Sequence, residues 1–386
     1  MSRGARPHVR FVITTSDFGG SESFLSRLVR GMDRQRFDLS VCSLCPPGRV
    51  AQEIEALGIP VSTLGMARRA KPLQMLAAVR TLARRVDRDG VDLVQSLLYR
   101  ANVLSAVACR WSRSKPKLVT GQRSLIPTGR SLDFLAQKWT RDWADRVVAV
   151  SEAVRTELLD TESIASDKVV VIQNGIDVER FAPGTAEERA AARAAWNVAD
   201  DQLVIGAVGR IHGPKGLPHL VDAFALARRQ DPRLILVLAG DGPASDVEAL
   251  DAKILEHELG EHVRRLGYVK APGPLYAGFD LYALPSLKEG SPNALLEAMG
   301  RGCASIASAV GGVPEAAVDG ESGLLVPPAD PPALAEAISR LAGDPELRRR
   351  LGEAARSRIV ERFDLGTMIR SHEALYSGLL AATHRP

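Results

Sequence analysis

The chain has 386 residues, 45% apolar and 25% charged, which excludes a disordered or fibrous protein; because one hydrophobic core stops growing near about 250–300 residues, two domains are predicted. Four cysteines, at 42, 45, 109 and 303, are too few and too scattered for a disulfide scaffold, and no run of about 18 apolar residues is present to span a bilayer. The net charge of +4 hides an asymmetry: residues 1–180 carry 28 Lys and Arg against 19 Asp and Glu, whereas 181–386 carry 22 against 27, so either the first half faces an anionic partner or its arginines are scattered in solvent.

In chain order, short β-branched runs alternate with helical stretches, the mark of βαβ units and parallel sheets. The basic opening turns apolar only briefly before Asp17, too soon for a secretory core, and a cytoplasmic protein is expected. Strands are predicted near Val9–Thr15, Phe37–Leu44, Pro60–Leu64, Val91–Leu97, Lys117–Gln122, Arg146–Val150 and Lys168–Gln173. Cys42 and Cys45 form C-x-x-C, but on a strand running into Pro46-Pro47 and with no second pair, which favours buried thiols over redox or zinc chemistry. Between Asn174 and Asn197, Gly175, Pro183 and Gly184 punctuate a linker entering a helix, which places a boundary near residue 180 and domains at 1–180 and 181–364. Strands resume near Leu203–Val208, Arg233–Ala239, Val263–Tyr268, Leu281–Leu284, Ala304–Ala307 and Gly323–Val326, and the last helix, 365–380, is expected to pack back on the first domain. Two doubly wound α/β domains in tandem direct attention to the C-terminal ends of their strands, where loops and helix N-termini converge on ligands.

One such place is Leu284-Pro285-Ser286-Leu287-Lys288-Glu289-Gly290-Ser291-Pro292-Asn293. A strand ends at Ser286, a turn carries Glu289-Gly290, and Ser291 is predicted as the N-cap of a helix with Pro292 at its first position. The N–H groups and positive end of that helix suit a diphosphate. Glu289 and Glu297 bracket it, placed to accept hydrogen bonds from sugar hydroxyls; alone, the pair equally fits a helix-end charge and a surface glutamate. A second place is Gly209-Arg210-Ile211-His212-Gly213-Pro214-Lys215-Gly216. Arg210 and Lys215 there either neutralise a phosphate leaving group, as a divalent metal does elsewhere, or are two exposed cations on a loop.

Further motifs stand in order along the chain: Gly19-Gly20-x-Glu22, Val150-Ser151-Glu152, Asn174-Gly175-Ile176-Asp177, Gly311-Gly312-Val313-Pro314-Glu315 and Ser322-Gly323-Leu324-Leu325-Val326. With Arg210, Lys215-Gly216 and Glu289-Gly290-x-Pro292-Asn293-x-x-x-Glu297, they resemble the family-4 (group 1) retaining glycosyltransferases of the GT-B fold over nearly the whole chain. The resemblance implies two Rossmann-like domains facing across a cleft. Arg210 and Lys215 would bind the donor diphosphate and act in catalysis with Glu289, which would hold the donor sugar hydroxyls, while Glu297 would hold the ribose. Gly290, Asn293, Ala294 and Leu295 would offer main-chain groups near the phosphates, Gly267-Tyr268-Val269 would cradle the base, and Gly19 and Gly20 would let a first-domain loop approach closely. A UDP- or GDP-sugar donor, a glycan or lipid-linked acceptor, retention of configuration and no obligatory metal or other cofactor are also implied, with the departing phosphate helping to deprotonate the acceptor on the same face.

This sequence departs from the family in two places. Family members carry histidines after the fourth strand, where Gln95-Ser96-Leu97-Leu98-Tyr99-Arg100 has none, leaving Arg100, Asn102 and Arg123 as acceptor-side candidates. The loop Lys270–Leu275 lacks the acidic pair often found after the base-binding strand.

Other motifs weigh less. Asp87-Arg88-Asp89 matches the D-x-D of metal-dependent transferases, yet it sits where a basic helix exits before Gly90, and no metal site is predicted. His212 reads as exposed. Arg68-Arg69-Ala70-Lys71, the helix bearing Arg80, Arg84 and Arg85, and Trp111 among Arg110, Arg113, Lys115 and Lys117 suit anionic headgroups, which predicts docking on the cytoplasmic face of a membrane. They lack the aromatic platforms or recognition helix of a nucleic-acid binder. Phe18-Gly19-Gly20-Ser21-Glu22 is not G-x-G-x-x-G, which disfavours a dinucleotide oxidoreductase. A GT-B sugar-nucleotide epimerase and a catalytically silent nucleotide-sugar-binding protein stand as the alternatives.

Overall fold

The computed structural model describes residues 6–17, 19–67, 69–125, 132–162 and 164–382. Phe18 of the first glycine motif and Arg68 of the first basic patch lie outside them. Contacts divide the chain into two units, one running to Asn174 and taking back the last helix, Leu365–Ala381, the other spanning Gly175–Asp364. The division falls after Asn174 and not near 180 because Ile176 is already built into the second unit. Its side chain is fully buried there, and its N–H donates to the Phe363 carbonyl at 2.9 Å.

In the first unit β1 (His8–Ile13), β2 (Asp38–Ser43), β3 (Val61–Thr63), β4 (Leu93–Leu97), β5 (Lys117–Gln122), β6 (Arg146–Ala149) and β7 (Val169–Val171) form one sheet in the order β3-β2-β1-β4-β5-β6-β7. Every pairing is parallel. A parallel sheet is covered on both faces, so its strands read as continuous apolar runs. Val12, Val94 and Leu118 accordingly feed a core on one side, and Phe11, Ile13 and Val119 a core on the other. The second core includes the last helix, whose buried Met368, Ile369, His372, Tyr376 and Leu379 recur at helical spacing. Tyr376 meets Phe11 and Phe37 edge-on and donates to Gln95 Oε1 at 3.2 Å, while Glu373 accepts the Asp33 N–H at 2.7 Å.

In the second unit β8 (Leu203–Val208), β9 (Leu234–Ala239), β10 (Val263–Gly267), β11 (Leu281–Leu284), β12 (Ala304–Ser308) and β13 (Leu324–Val326) run parallel in the order β10-β9-β8-β11-β12-β13. Its entry helix, Ala186–Ala195, opens on a capping box in which Thr185 accepts the Glu188 N–H at 3.1 Å. Strand order reverses between β1 and β4 in one sheet and between β8 and β11 in the other, and the loops leaving those strands part there to open a crevice. Among the described residues no helix is long and apolar enough to cross a membrane.

Candidate active site

In the second unit the chain leaves β8 through Gly209, turns at the exposed Arg210 and closes a short turn, Gly213–Lys215, on Gly216 at φ 63°. Gly216 is doubly required: its φ is left-handed, and a Cβ there would stand 2.0 Å from the Pro285 carbonyl oxygen. That approach locks the loop after β8 against the loop after β11, as does the Leu287 N–H donated to the Pro214 carbonyl at 2.8 Å. In consequence Lys215 Nζ reaches Glu289 Oε1 at 2.6 Å, and Ser286 Oγ donates to the same oxygen at 2.7 Å. The Glu289 side chain is 7% exposed and that of Lys215 34%, so the carboxylate is fixed and the cation is the partner able to swing toward a ligand. Gly312 N–H holds the Glu289 carbonyl at 3.1 Å, which gives the Gly311-Gly312 turn its place here.

Glu297 lies on the helix Asn293–Gly300, where its Oε2 accepts the Tyr276 hydroxyl at 3.0 Å. Tyr276 and Tyr282 are buried with ring centroids 5.8 Å apart. Burial, and then the charge of Glu297 beside Tyr276 and of Glu289 and Glu297 beside Tyr282, push both phenols well above their ordinary range, so both stay neutral donors. The helix corrects the sequence reading by one residue: Pro292, with ψ 73° outside the helical range, is the cap, and Ser291 is not. Asn293, Ala294 and Leu295 thus form its first turn, where N–H groups point out of the helix end and that of Asn293 is given to the Ser291 carbonyl at 3.1 Å. Leu295 turns its side chain into the core, and Gly290 is buried beside Glu289.

β10 stops at Gly267, φ 65°, one residue short of the predicted end, leaving Tyr268 45% exposed and Val269 partly buried. The Gly267 carbonyl accepts the Gly240 N–H at 2.8 Å. Sequence reasoning passes over Gly240-Asp241-Gly242-Pro243, yet this loop sets the backbone under Arg210. A Cβ on Gly240 would meet the Gly209 carbonyl oxygen at 1.7 Å, and one on Gly242 that of Ile211 at 1.8 Å. The signal was two glycines and a proline directly after a strand buried along its whole length. Ser286 and Tyr276 also escape a motif reading, one because serine is common at strand ends and the other because it lies distant in sequence.

In the first unit, Gly19 caps the helix Gly20–Gly31. A Cβ on Gly19 would come 2.4 Å from a carboxylate oxygen of the buried Glu22, which accepts the Thr15 hydroxyl at 2.7 Å. β4 is followed by Leu98 at φ 76°, ψ 150°, a conformation nearly reserved for glycine and typical of strained functional loops. Arg100 follows, half-buried, in the first turn of the helix Tyr99–Trp111. Asn102 is buried: its side-chain oxygen accepts Ser96 Oγ at 2.8 Å and its amide donates to the Gly121 carbonyl at 3.1 Å, so it clamps β4 to β5. Arg123 lies just past β5 with its guanidinium 3.5 Å from the Phe24 ring centroid and Nη2 donating to Asn174 at 2.6 Å. Burial, and then Arg27, lower its pKa to about 9 against the pull of Glu22.

The D-x-D is structural. Asp87 accepts the Ser112 hydroxyl at 2.6 Å and the N–H groups of Arg113 and Ser114, bonds that hold it well below the carboxylate range, while Asp89 pairs with Arg88 and Arg10 and falls to about 2. Cys42, Cys45, Cys109 and Cys303 are all buried, and burial pushes the thiols of Cys109 and Cys303 up to about 12. His212 lies 3.3 Å from Asp246. Among the described residues no group of three or more His, Cys, Asp and Glu side chains is placed to hold a metal ion.

Residues 18–180 match the family described as Glycosyltransferase Family 4, and residues 188–358 that described as Glycosyl transferases group 1. The chain belongs to the group 1 glycosyltransferase family. It is 34% identical over 280 residues to a D-inositol 3-phosphate glycosyltransferase of Saccharomonospora viridis, covering 70% of this chain and 61% of that one. It is 33% identical over 233 residues to an alpha-maltose-1-phosphate synthase of Mycolicibacterium smegmatis, covering 57% and 59%. This group 1 chain therefore spans only about three fifths of the length of those relatives. In structure it is similar to Anabaena HepE in complex with UDP-glucose, with TM-score 0.85, 24% identity and coverage of 96% of this chain and 99% of that chain. It is similar also to the sucrose-phosphate synthase of Thermosynechococcus elongatus, with TM-score 0.85, 22% identity and coverage of 98% and 100%. The two parallel-sheet units are those of the GT-B fold, as the motif resemblance implies.

Proposed function

We propose that this chain transfers a sugar from a nucleoside diphosphate, UDP before GDP, to a glycan or lipid-linked acceptor with retention of anomeric configuration. The observation that carries the reading is the contact of Lys215 and Ser286 with one oxygen of the buried Glu289, on two glycine-locked loops that leave the switch-point strands β8 and β11. Arg210 and Lys215 neutralise the diphosphate as the glycosidic bond breaks, taking the part a metal plays elsewhere, and the helix starting at Asn293 adds its positive end. Glu289 orients the donor sugar through its hydroxyls, and Glu297, backed by Tyr276, accepts from the ribose. The leaving phosphate takes the acceptor proton on the face from which it departs. The UDP and UDP-glucose complexes of HepE favour uridine as the base, and the relatives' names add inositol phosphates and sugar phosphates to the acceptors worth testing.

A panel of UDP- and GDP-sugars followed by thermal unfolding tests the donor, since a ligand at a hundred times its Kd stabilises by about 2.7 kcal/mol. No protection by any of them refutes the reading. Turnover that survives a chelator is expected, and turnover that chelation abolishes refutes the metal-free mechanism. Work on the cytoplasmic face of a membrane belongs to the same proposal, with Arg69, Lys71 and their neighbours as the docking surface.

A further inference from the structure

The second unit also holds an open cavity of about 330 Å3 at the opposite edge of its sheet, where β11 and β12 begin. Four arginines line it, Arg189, Arg301, Arg348 and Arg349, with Asp280 the one carboxylate of the lining; behind that lining Arg349 pairs with Glu346 and Glu353, and Arg348 donates to the Leu341 and Ala342 carbonyls. Asp280 is already committed, accepting from Arg189 at 2.7 Å, Arg193 at 3.1 Å and the Val204 N–H at 2.8 Å. Arg301 carries the argument. Its side chain is 8% exposed and its Nη1 donates to Glu188 at 2.8 Å, but among the described residues its buried Nε hydrogen meets no acceptor. A buried charged donor left unsatisfied is costly, and an anion entering the cavity relieves it. The helix Ala186–Ala195 begins at the same wall and adds its positive end. The volume lies at the bottom of the range of about 300–1,000 Å3 for ligand pockets, which suits a molecule smaller than a nucleotide sugar.

We propose that this cavity binds a compact phosphorylated metabolite, of hexose monophosphate size, and that its occupancy is felt at the donor site. The path is short. Tyr276 lines the cavity and gives its hydroxyl to Glu297, and the eight-residue helix Asn293–Gly300 runs from the candidate phosphate site directly into Arg301.

Calorimetric titration of the full chain with glucose 6-phosphate, first without any nucleotide, tests the cavity independently of the donor reading. Saturable binding is expected, weakened at least tenfold in Arg301→Gln and in Arg189→Ala. The second variant leaves Asp280 bonded to Arg193, so the fold is retained even if the first is unstable. Repeated with UDP present, the two ligands should shift each other's affinity by one common factor, as linkage requires. No saturable binding, competition with UDP, an affinity in both variants unchanged from that of the parent, or a UDP affinity unchanged by the sugar phosphate overturns the proposal.

Discussion

Lys215 and Glu289 are unequal partners, and mutation separates their roles. Glu289→Gln keeps the shape and the Ser286 bond, and Lys215 stays solvated, so stability changes little while the charge proposed to orient the sugar is lost. Removing one such electrostatic contact costs about 3–4 kcal/mol of transition-state binding, or roughly a hundred- to thousandfold in kcat; unaltered steady-state turnover would refute the role. Lys215→Ala strands a buried carboxylate and should lower the melting temperature as well as the rate. His372 makes a separate prediction. Burial lowers its pKa to about 4 from the ordinary 6.5, so the unfolded chain takes up a proton that the folded chain refuses. Stability is complete above pH 6.5 and falls as the pH drops toward 4, by about 3 kcal/mol at about 1.4 kcal/mol per pH unit of separation. Urea unfolding at pH 7 and at pH 4.5 measures the loss, and His372→Gln should flatten it.

The loops around the candidate site owe their form to glycines that admit no substitute. Gly216→Ala imposes both a left-handed φ on alanine and a Cβ against the Pro285 carbonyl, which should cost about 1–3 kcal/mol and pull Lys215 from Glu289. Chemical denaturation gives the first effect and UDP-sugar affinity the second; a variant as stable and as tight-binding as the parent contradicts the locked-loop account. These glycines also explain what was legible in the sequence. Gly/Pro loops after apolar runs announce where strands end, and the thirteen strands among the described residues are found at their predicted places with ends shifted by at most two residues. Contacts between distant segments were not legible: Tyr276 beneath Glu297, Gly240 against Gly209, and Asn102 turned inward to clamp two strands. Helix starts depend on a single ψ, and Pro292 shows how composition alone misplaces one by a residue.

The charge asymmetry gains direction from the first sheet's topology. Arg69, Lys71 and the 80% exposed Leu73 follow β3 at the start of the helix Pro72–Arg88, on the edge where Gly19, Arg100 and Arg123 also leave their strands. Arg110, the half-exposed Trp111, Arg113 and Lys115 lie at the end of a helix entering β5, on the opposite edge. Sequence reading groups both as basic patches because it cannot see that a βα unit carries them to opposite edges. A bilayer docked on the first patch faces the loops that would receive a lipid-linked acceptor, whereas one docked on the second lies across the sheet from them. Each Lys or Arg near an anionic surface is worth about 1 kcal/mol, so Arg69→Glu with Lys71→Glu should weaken binding to phosphatidylserine vesicles at least thirtyfold and slow transfer to a lipid acceptor while sparing a soluble one. Arg110→Glu with Arg113→Glu should leave both unchanged. Vesicle flotation in low and high salt, run beside the two transfer assays, decides the matter, and equal loss in the two double variants would mean that charge alone, without orientation, governs the attachment.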